Sequence, residues 1–285
     1  MNPDRRAAIV GLGLIGGSFA AALRVARPRW SIVGFDLGEE ARTRVADERL
    51  VDRIASSADE ALRDADVIVL ATPVSVILEI LGRLARVTAG DAIVLDVGST
   101  KSAIVDAMNG LPERLQAVGG HPMTGALTTG SNHPNARLFE GQRFVLTPTR
   151  QTTRATMEAV EGLLRDFRAD VVVMDPSRHD RAVAVMSHLP YLMSLPLLDI
   201  FAEQDEVTRT LAAGGFRSRV EGASLNTVMW RDILLTNREE ILRALRIYRD
   251  QLAALERDLN EGSAERLAER LERAGGIARS LSARP

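Results

Sequence analysis

Residues 7–36 read AAIVGLGLIGGSFAAALRVARPRWSIVGFD, and this stretch decides the fold. Ala7 to Val10 is a short apolar run of the kind that forms a buried strand. The glycine turn Gly11-Leu12-Gly13-Leu14-Ile15-Gly16 follows at once, then a helical stretch from Ser18 to Arg27 and a second strand from Ser31 to Phe35. Glycines at this spacing permit a tight turn, let an anionic group approach the backbone, and let helix and strand pack closely. The free N–H groups at the start of the helix then face a pyrophosphate. Asp36 ends the second strand 20 residues after Gly16, where a carboxylate can accept two ribose hydroxyl protons. Gly11, Gly13, Leu14, Ile15, Gly16 and Asp36 are therefore the expected cofactor contacts. A carboxylate at this place repels a 2′-phosphate, and Leu37-Gly38 offers no arginine to hold one, so NAD is expected rather than NADP.

Working outward, Val67–Ala71, Ala92–Val97 and Gln116–Gly119 read as further strands separated by helical stretches. This alternation predicts an α/β Rossmann-type doubly wound parallel sheet. Phe144–Thr147 and Ala169–Met174 follow as two more strands around a helix from Thr152 to Phe167. In such sheets the ligand lies beyond the carboxyl ends of the strands. That edge gathers Thr72-Pro73 and Ser99 beside the cofactor, and His121, whose imidazole can take a proton from a hydroxyl as a hydride leaves the same carbon.

Strand signals stop at Asp175, which divides the chain into a dinucleotide-binding domain, 1–174, and an all-α substrate and dimerisation domain, 175–285. Val228 to Leu259 reads as one helix, about 48 Å long at 1.5 Å per residue. Its seam of Ile241, Leu245, Tyr248, Leu252, Leu255 and Leu259 calls for a partner helix, so a homodimer through this region is expected.

Composition narrows the function classes. The 36 basic and 38 acidic residues are interspersed and nearly cancel, which argues against a nucleic-acid partner. The most apolar stretch, Val67 to Leu78, is too short for a bilayer span, and the N-terminus lacks a signal-peptide core, so no membrane partner and a cytoplasmic location are expected. With no cysteine and no HxxxH or carboxylate cluster, no metal site is expected. Lys101 is the only lysine among 36 basic residues.

Six segments in order resemble the prephenate and arogenate (cyclohexadienyl) dehydrogenase family: Val10–Ser18 (VGLGLIGGS), Asp96–Lys101 (DVGSTK), Gly120–Gly125 (GHPMTG), Leu138–Pro148 (LFEGQRFVLTP), His179–Pro190 (HDRAVAVMSHLP) and Met229–Ile241 (MWRDILLTNREEI). The resemblance implies NAD-dependent oxidative decarboxylation of a small cyclohexadienol in tyrosine biosynthesis, with loss of carbon dioxide. It implies that His121 takes the ring-hydroxyl proton and that Ser99 orients His121 and the hydroxyl, a role compatible with capping the helix before Ile104. Lys101 is implied as a supporting cation, and His188 as a substrate contact from the helical domain, aimed inward by Pro190. His179, beside Asp180, is expected to cap or fix the start of that domain.

Three departures bear on substrate. Tyr191 stands where prephenate-specific members often have a second histidine, and Leu127 where they often have a glutamate. At the position of the family's carboxylate-binding arginine a gap-free count places Glu221, whereas a two-residue gap favours Arg219, with Arg217 in reserve. The same chemistry on an amino-substituted prephenate analogue, or a non-catalytic NAD-binding dimer, remain as alternatives. A 3-hydroxy-acid dehydrogenase fits less well, because those enzymes rely on a lysine in the helical half, which contains none.

Overall fold

Ala7 and Ile9 enter one buried apolar cluster and Ala8 and Val10 the other, as the two-residue period of a strand covered on both faces requires. The computed structural model describes residues 5–124, 133–221 and 226–282. Its strands are β1 (Arg6–Val10), β2 (Ser31–Phe35), β3 (Arg53–Ile54), β4 (Val67–Leu70), β5 (Ala92–Asp96), β6 (Leu115–Pro122), β7 (Arg143–Pro148) and β8 (Asp170–Val173). They form one sheet ordered β3-β2-β1-β4-β5-β6-β7-β8. Every pairing is parallel except β6 with β7, which is antiparallel and sets His121 opposite Val145. The expected doubly wound parallel sheet is present, with this one antiparallel junction that the sequence did not reveal. The sequence reading also missed β3, whose two residues are too few to show a period.

Helices α1 (Leu14–Ala26), α2 (Glu39–Asp47), α3 (Ala58–Leu62), α4 (Val74–Val87), α5 (Ser102–Met108) and α6 (Arg154–Asp166) connect the strands. One face of the sheet is filled by Phe19, Leu23, Trp30, Phe139, Phe144 and Phe167. The other is filled by Leu62, Ile77, Leu81, Leu84, Ile104 and Met108. With apolar residues closing both faces, the carboxyl edge of the strands is where a ligand can enter.

Beyond β8 come α7 (Pro176–Val183), a π-helical turn (Ala184–His188), α8 (Leu189–Ala202), α9 (Glu206–Thr210), α10 (Gly214–Val220) and α11 (Thr227–Thr236). Among the described residues, the run Pro176–Ala202, rather than Val67–Leu78, is the one helical stretch long and apolar enough to cross a membrane by length and composition. Its first segment, α7, packs on α5, and Asp180 within it accepts the N–H groups of Lys101 and Ser102.

The chain divides into two compact units, Met1–Arg238 and Glu239–Pro285. The single helix expected from Val228 to Leu259 is two, α11 and α12 (Arg238–Asn260), because Asn237 leaves helical geometry between them (φ −112°, ψ 26°). Within the second unit, α13 (Ala264–Ser282) folds back after a turn at Gly262 (φ +63°), and Arg270 clasps Asp258 at 2.9 Å. Ile247, Leu252, Leu259, Leu271, Ile277 and Leu281 are exposed.

Candidate active site

The connections from β1 and β4, adjacent in the sheet, depart in opposite directions, so a crevice opens at their carboxyl ends. Gly11 lies there with φ +93°, and a Cβ on it would come within 2.3 Å of the Ala71 carbonyl oxygen. A Cβ on Gly16 would meet the Gly11 carbonyl oxygen at 1.9 Å, so this turn tolerates glycine alone. Gly13 is the N-cap of α1 and provides no side-chain cap, and among the described residues nothing lies within 4 Å of its Cβ position. The α1 N-terminus, with Leu14 and Ile15 in its first turn, therefore presents free N–H groups to an anion.

Asp36 closes the crevice at the end of β2, its Oδ2 accepting the Leu12 N–H at 2.6 Å and its Oδ1 the Gly38 N–H at 2.7 Å. Pro73 stands at the N-cap of α4 and gives it no side-chain hydrogen bond, and the neighbouring Thr72 Oγ1 is buried without a partner among the described residues. An orphaned hydroxyl beside an uncapped helix end fits a dinucleotide, which brings hydrogen-bonding groups of its own. The predicted cofactor residues thus share one edge.

His121 is half-buried near the end of β6, one strand beyond β5 on the same edge. Beneath it, Lys101 and Asp96 are fully buried, and Lys101 Nζ donates both to Asp96 and to the Gly120 carbonyl, the latter at 2.7 Å. Asp96 also accepts from the N–H groups of Gly98 (2.8 Å) and Gly120 (3.1 Å). Burial pushes the Asp96 carboxyl up and the Lys101 ammonium down, and their mutual attraction opposes both shifts. The pair ties the ends of β5 and β6 together and fixes the backbone on which His121 is mounted.

Ser99 sits half-buried in the loop after β5. It does not cap α5. The N-cap is Lys101, and the capping acceptor comes from across the fold: Asp180 takes the Lys101 N–H at 2.7 Å and the Ser102 N–H at 2.8 Å. Nor does His179 cap α7, since Asp175 does so by accepting from Ser177 and Arg178. Instead His179 bridges His121 and Asp180, with Nε2 2.8 Å from His121 Nδ1 and Nδ1 2.8 Å from Asp180 Oδ1. Burial draws the Asp180 carboxyl upward, but hydrogen bonds from His179, Ser102 and Lys101 outweigh it and hold the group below its ordinary range.

His188 lies in the π-helical turn and is 1% exposed. Pro190 lacks the N–H that an α-helix would offer to Met186, and the wider turn just before it accommodates that loss and turns His188 inward. Asn237 gives its amide nitrogen to the Asp180 carbonyl at 2.8 Å and to His188 Nδ1 at 3.2 Å. A carbonyl only accepts, so the amide orientation is settled, and His188 Nδ1 must be the acceptor. Neutral His188 then carries its hydrogen on Nε2 and is a donor. This use of Asn237 is the reason the long helix breaks there.

Desolvation pushes His121 well below its ordinary pKa, helped by repulsion from His179, Lys101 and His188. Desolvation likewise takes His188 down to about 4, with His179 adding to it and Asp180 opposing. Both are neutral at pH 7. A histidine with a depressed folded pKa loses stability as pH falls from its unfolded value toward the folded one. We therefore expect unfolding free energy to drop by about 3 kcal/mol on His188's account between pH 6.5 and 4, with His121 adding in the same direction. Urea titrations across this range should show a shallower slope in His188→Gln, and an unchanged slope would refute the assignment.

Trp230, which the sequence reading missed, stacks on Tyr191 with centroids 3.5 Å apart and 4° between planes, and meets His188 edge-on at 6.0 Å. Its buried Nε1 has no partner among the described residues. Tyr191 therefore belongs to the His188 cluster. Arg217 and Arg219 are exposed on α10 and donate to carbonyls of their own segment, Ala212 (3.1 Å) and Gly215 (2.6 Å), so neither hydrogen-bonds to the histidine cluster. Leu127 lies outside the described residues.

A Rossmann sheet with a glycine cradle at its switch point and a neutral histidine on the same edge is the construction of a dinucleotide-dependent dehydrogenase. The family model described as prephenate dehydrogenase, nucleotide-binding domain, matches residues 19–173, and the one described as prephenate dehydrogenase, dimerization domain, matches residues 175–273. The chain belongs to the prephenate dehydrogenase family. It is 36% identical over 239 residues to the prephenate dehydrogenase of Bacillus subtilis, a match covering 82% of this chain and 64% of that one, so it spans just under two thirds of that relative's length. Among solved structures, prephenate dehydrogenase from A. aeolicus in complex with hydroxyphenyl propionate and NAD+ superposes with a TM-score of 0.88 at 29% identity, covering 97% of this chain and 98% of that one. Synechocystis arogenate dehydrogenase gives 0.80 at 28% identity, covering 97% and 99%.

Proposed function

We propose that the protein oxidatively decarboxylates prephenate, arogenate or both with NAD in tyrosine biosynthesis, His121 acting as the base. The observation that carries this is a neutral, half-buried His121 whose Nδ1 is engaged from behind, on the edge where the glycine turn and Asp36 would hold the cofactor. Bound NAD supplies the hydride acceptor. The free Nε2 of His121 takes the ring-hydroxyl proton as hydride leaves the same carbon. Cleavage of the ring carboxylate bond then sends its electron pair into the ring, which becomes aromatic as carbon dioxide departs.

Other residues hold the substrate in place. Ser99 orients the hydroxyl beside His121. His188 donates from Nε2 to the substrate, and Tyr191 with Trp230 forms an aromatic wall beside it. Arg219, or Arg217 in its stead, would supply the cation for a substrate carboxylate by releasing its carbonyl partner, and Leu127 would line the same end. Asp36 favours NAD over NADP. The division at 174/175, a homodimer through the helical region and a cytoplasmic location belong to the same reading. The exposed leucines and isoleucines of α12 and α13 and the match to a dimerization domain support the dimer.

The test is the initial rate of reduced-cofactor formation from prephenate and from arogenate, each with NAD and NADP. Turnover with NAD, at least about tenfold faster than with NADP, is the expected result. No turnover of either substrate, despite NAD binding, would favour the amino-substituted analogue or the non-catalytic dimer.

A further inference from the structure

We propose that His179 and Asp180 are positioning residues that set the tautomer of His121 and draw charge away from it during proton transfer. The proposal rests on the reading of His121 as the base. It begins at Asp180, whose Oδ2 accepts from Ser102 N–H and whose Oδ1 accepts from Lys101 N–H, both at the start of α5. A carboxylate so placed only accepts. His179 Nδ1, 2.8 Å from Oδ1, must therefore carry a hydrogen.

With its one imidazole hydrogen on Nδ1, His179 has its lone pair on Nε2. That atom lies 2.8 Å from His121 Nδ1, and two nitrogens at this distance share one hydrogen, which must belong to His121. Neutral His121 is left with its lone pair on Nε2, the form a base requires. Asn237 places a donor behind His188, whereas the Asp180–His179 pair places an acceptor behind His121. One histidine becomes a donor and the other an acceptor, though both are neutral.

The same chain handles the charge. When His121 Nε2 takes the substrate proton, the Nδ1 hydrogen can pass to His179 Nε2, and the hydrogen on His179 Nδ1 shifts toward Asp180. One proton enters at His121, and the positive charge comes to rest beside a carboxylate instead of beside Lys101. His179 and Asp180 are 1% and 2% exposed, so water cannot compete for either bond. The order of partners matches the logic by which a buried carboxylate orients a catalytic imidazole, with a second imidazole interposed.

The first test is nitrogen NMR of the wild-type protein with 15N-labelled histidine. The expected result is His121 and His179 both protonated at Nδ1, and a His121 protonated at Nε2 overturns the proposal. The second test is kinetic. His179→Leu removes the acceptor, should mix the His121 tautomers, and should lower kcat by about 10²-fold or more with KM little changed. His179→Gln can still accept from His121 but cannot relay, so kcat should fall about tenfold and a curved proton inventory should become linear. Variants that fold and keep wild-type kcat overturn the proposal. Should the wild-type chain turn over neither substrate, the reading of the reaction fails, and the tautomer is judged by NMR alone.

Discussion

Asparagine at position 121 should lower kcat by about 10³-fold while leaving NAD affinity unchanged. The geometry makes this substitution selective. An asparagine amide nitrogen can occupy the place of His121 Nδ1 and still donate to His179 Nε2, which preserves the bond holding the two elements together. No atom of asparagine reaches the place of Nε2. What disappears is the proton acceptor, and with it the coupling between hydroxyl deprotonation and hydride departure. Residual turnover would come from binding and orientation alone. Initial rates of NADH formation give kcat, and calorimetric titration with NAD gives affinity. Retention of wild-type turnover would remove His121 from the chemistry.

The cofactor half of this site was legible because its demands are local. A glycine at φ +93° and a second one against its carbonyl leave a sequence signature within six residues, and the apolar period of two places the strands on either side. His121 was legible for a related reason, since the end of a strand in such a sheet points to one edge. The support behind it was not. His179 touches His121 across 58 residues of chain, and Asp180 looks like any carboxylate near a helix start until α5 is seen to place its N–H groups there. From its place beside Asp180, His179 was expected to cap or fix the start of its helix; Asp175 does the capping, and the reach of His179 to His121 had no local signal.

Asn237 shows the opposite failure. The seam from Ile241 to Leu259 is periodic, and nothing local forbids extending the helix back to Val228. The break comes from two distant acceptors, the Asp180 carbonyl and His188 Nδ1, which claim the Asn237 amide. Tertiary demand here overrides helical propensity. The antiparallel turn of β7 was hidden likewise, because alternation along a strand does not reveal its direction.

Replacing Lys101 by methionine should cost about 3–5 kcal/mol of unfolding free energy, the largest stability effect expected in the chain. Asp96 and Lys101 are both completely buried, and removing the cation leaves a carboxylate without its counter-charge and the Gly120 carbonyl without a donor. Asp96→Asn should be costly for the converse reason. The double variant Asp96→Asn/Lys101→Met should be less destabilised than the sum of the two single losses, because it strands neither charge. Arginine is no remedy, although it serves at every other basic position. Its planar fork is larger than an ammonium, and the space around Lys101 is closed, so Lys101→Arg should also destabilise by about 1–3 kcal/mol. Since the pair anchors the strand that carries His121, kcat should fall along with stability in each single variant. Urea unfolding of the four proteins gives the coupling energy directly. Strict additivity would mean that the two side chains act independently, and the account of Lys101 as the anchor of β5 to β6 would fail.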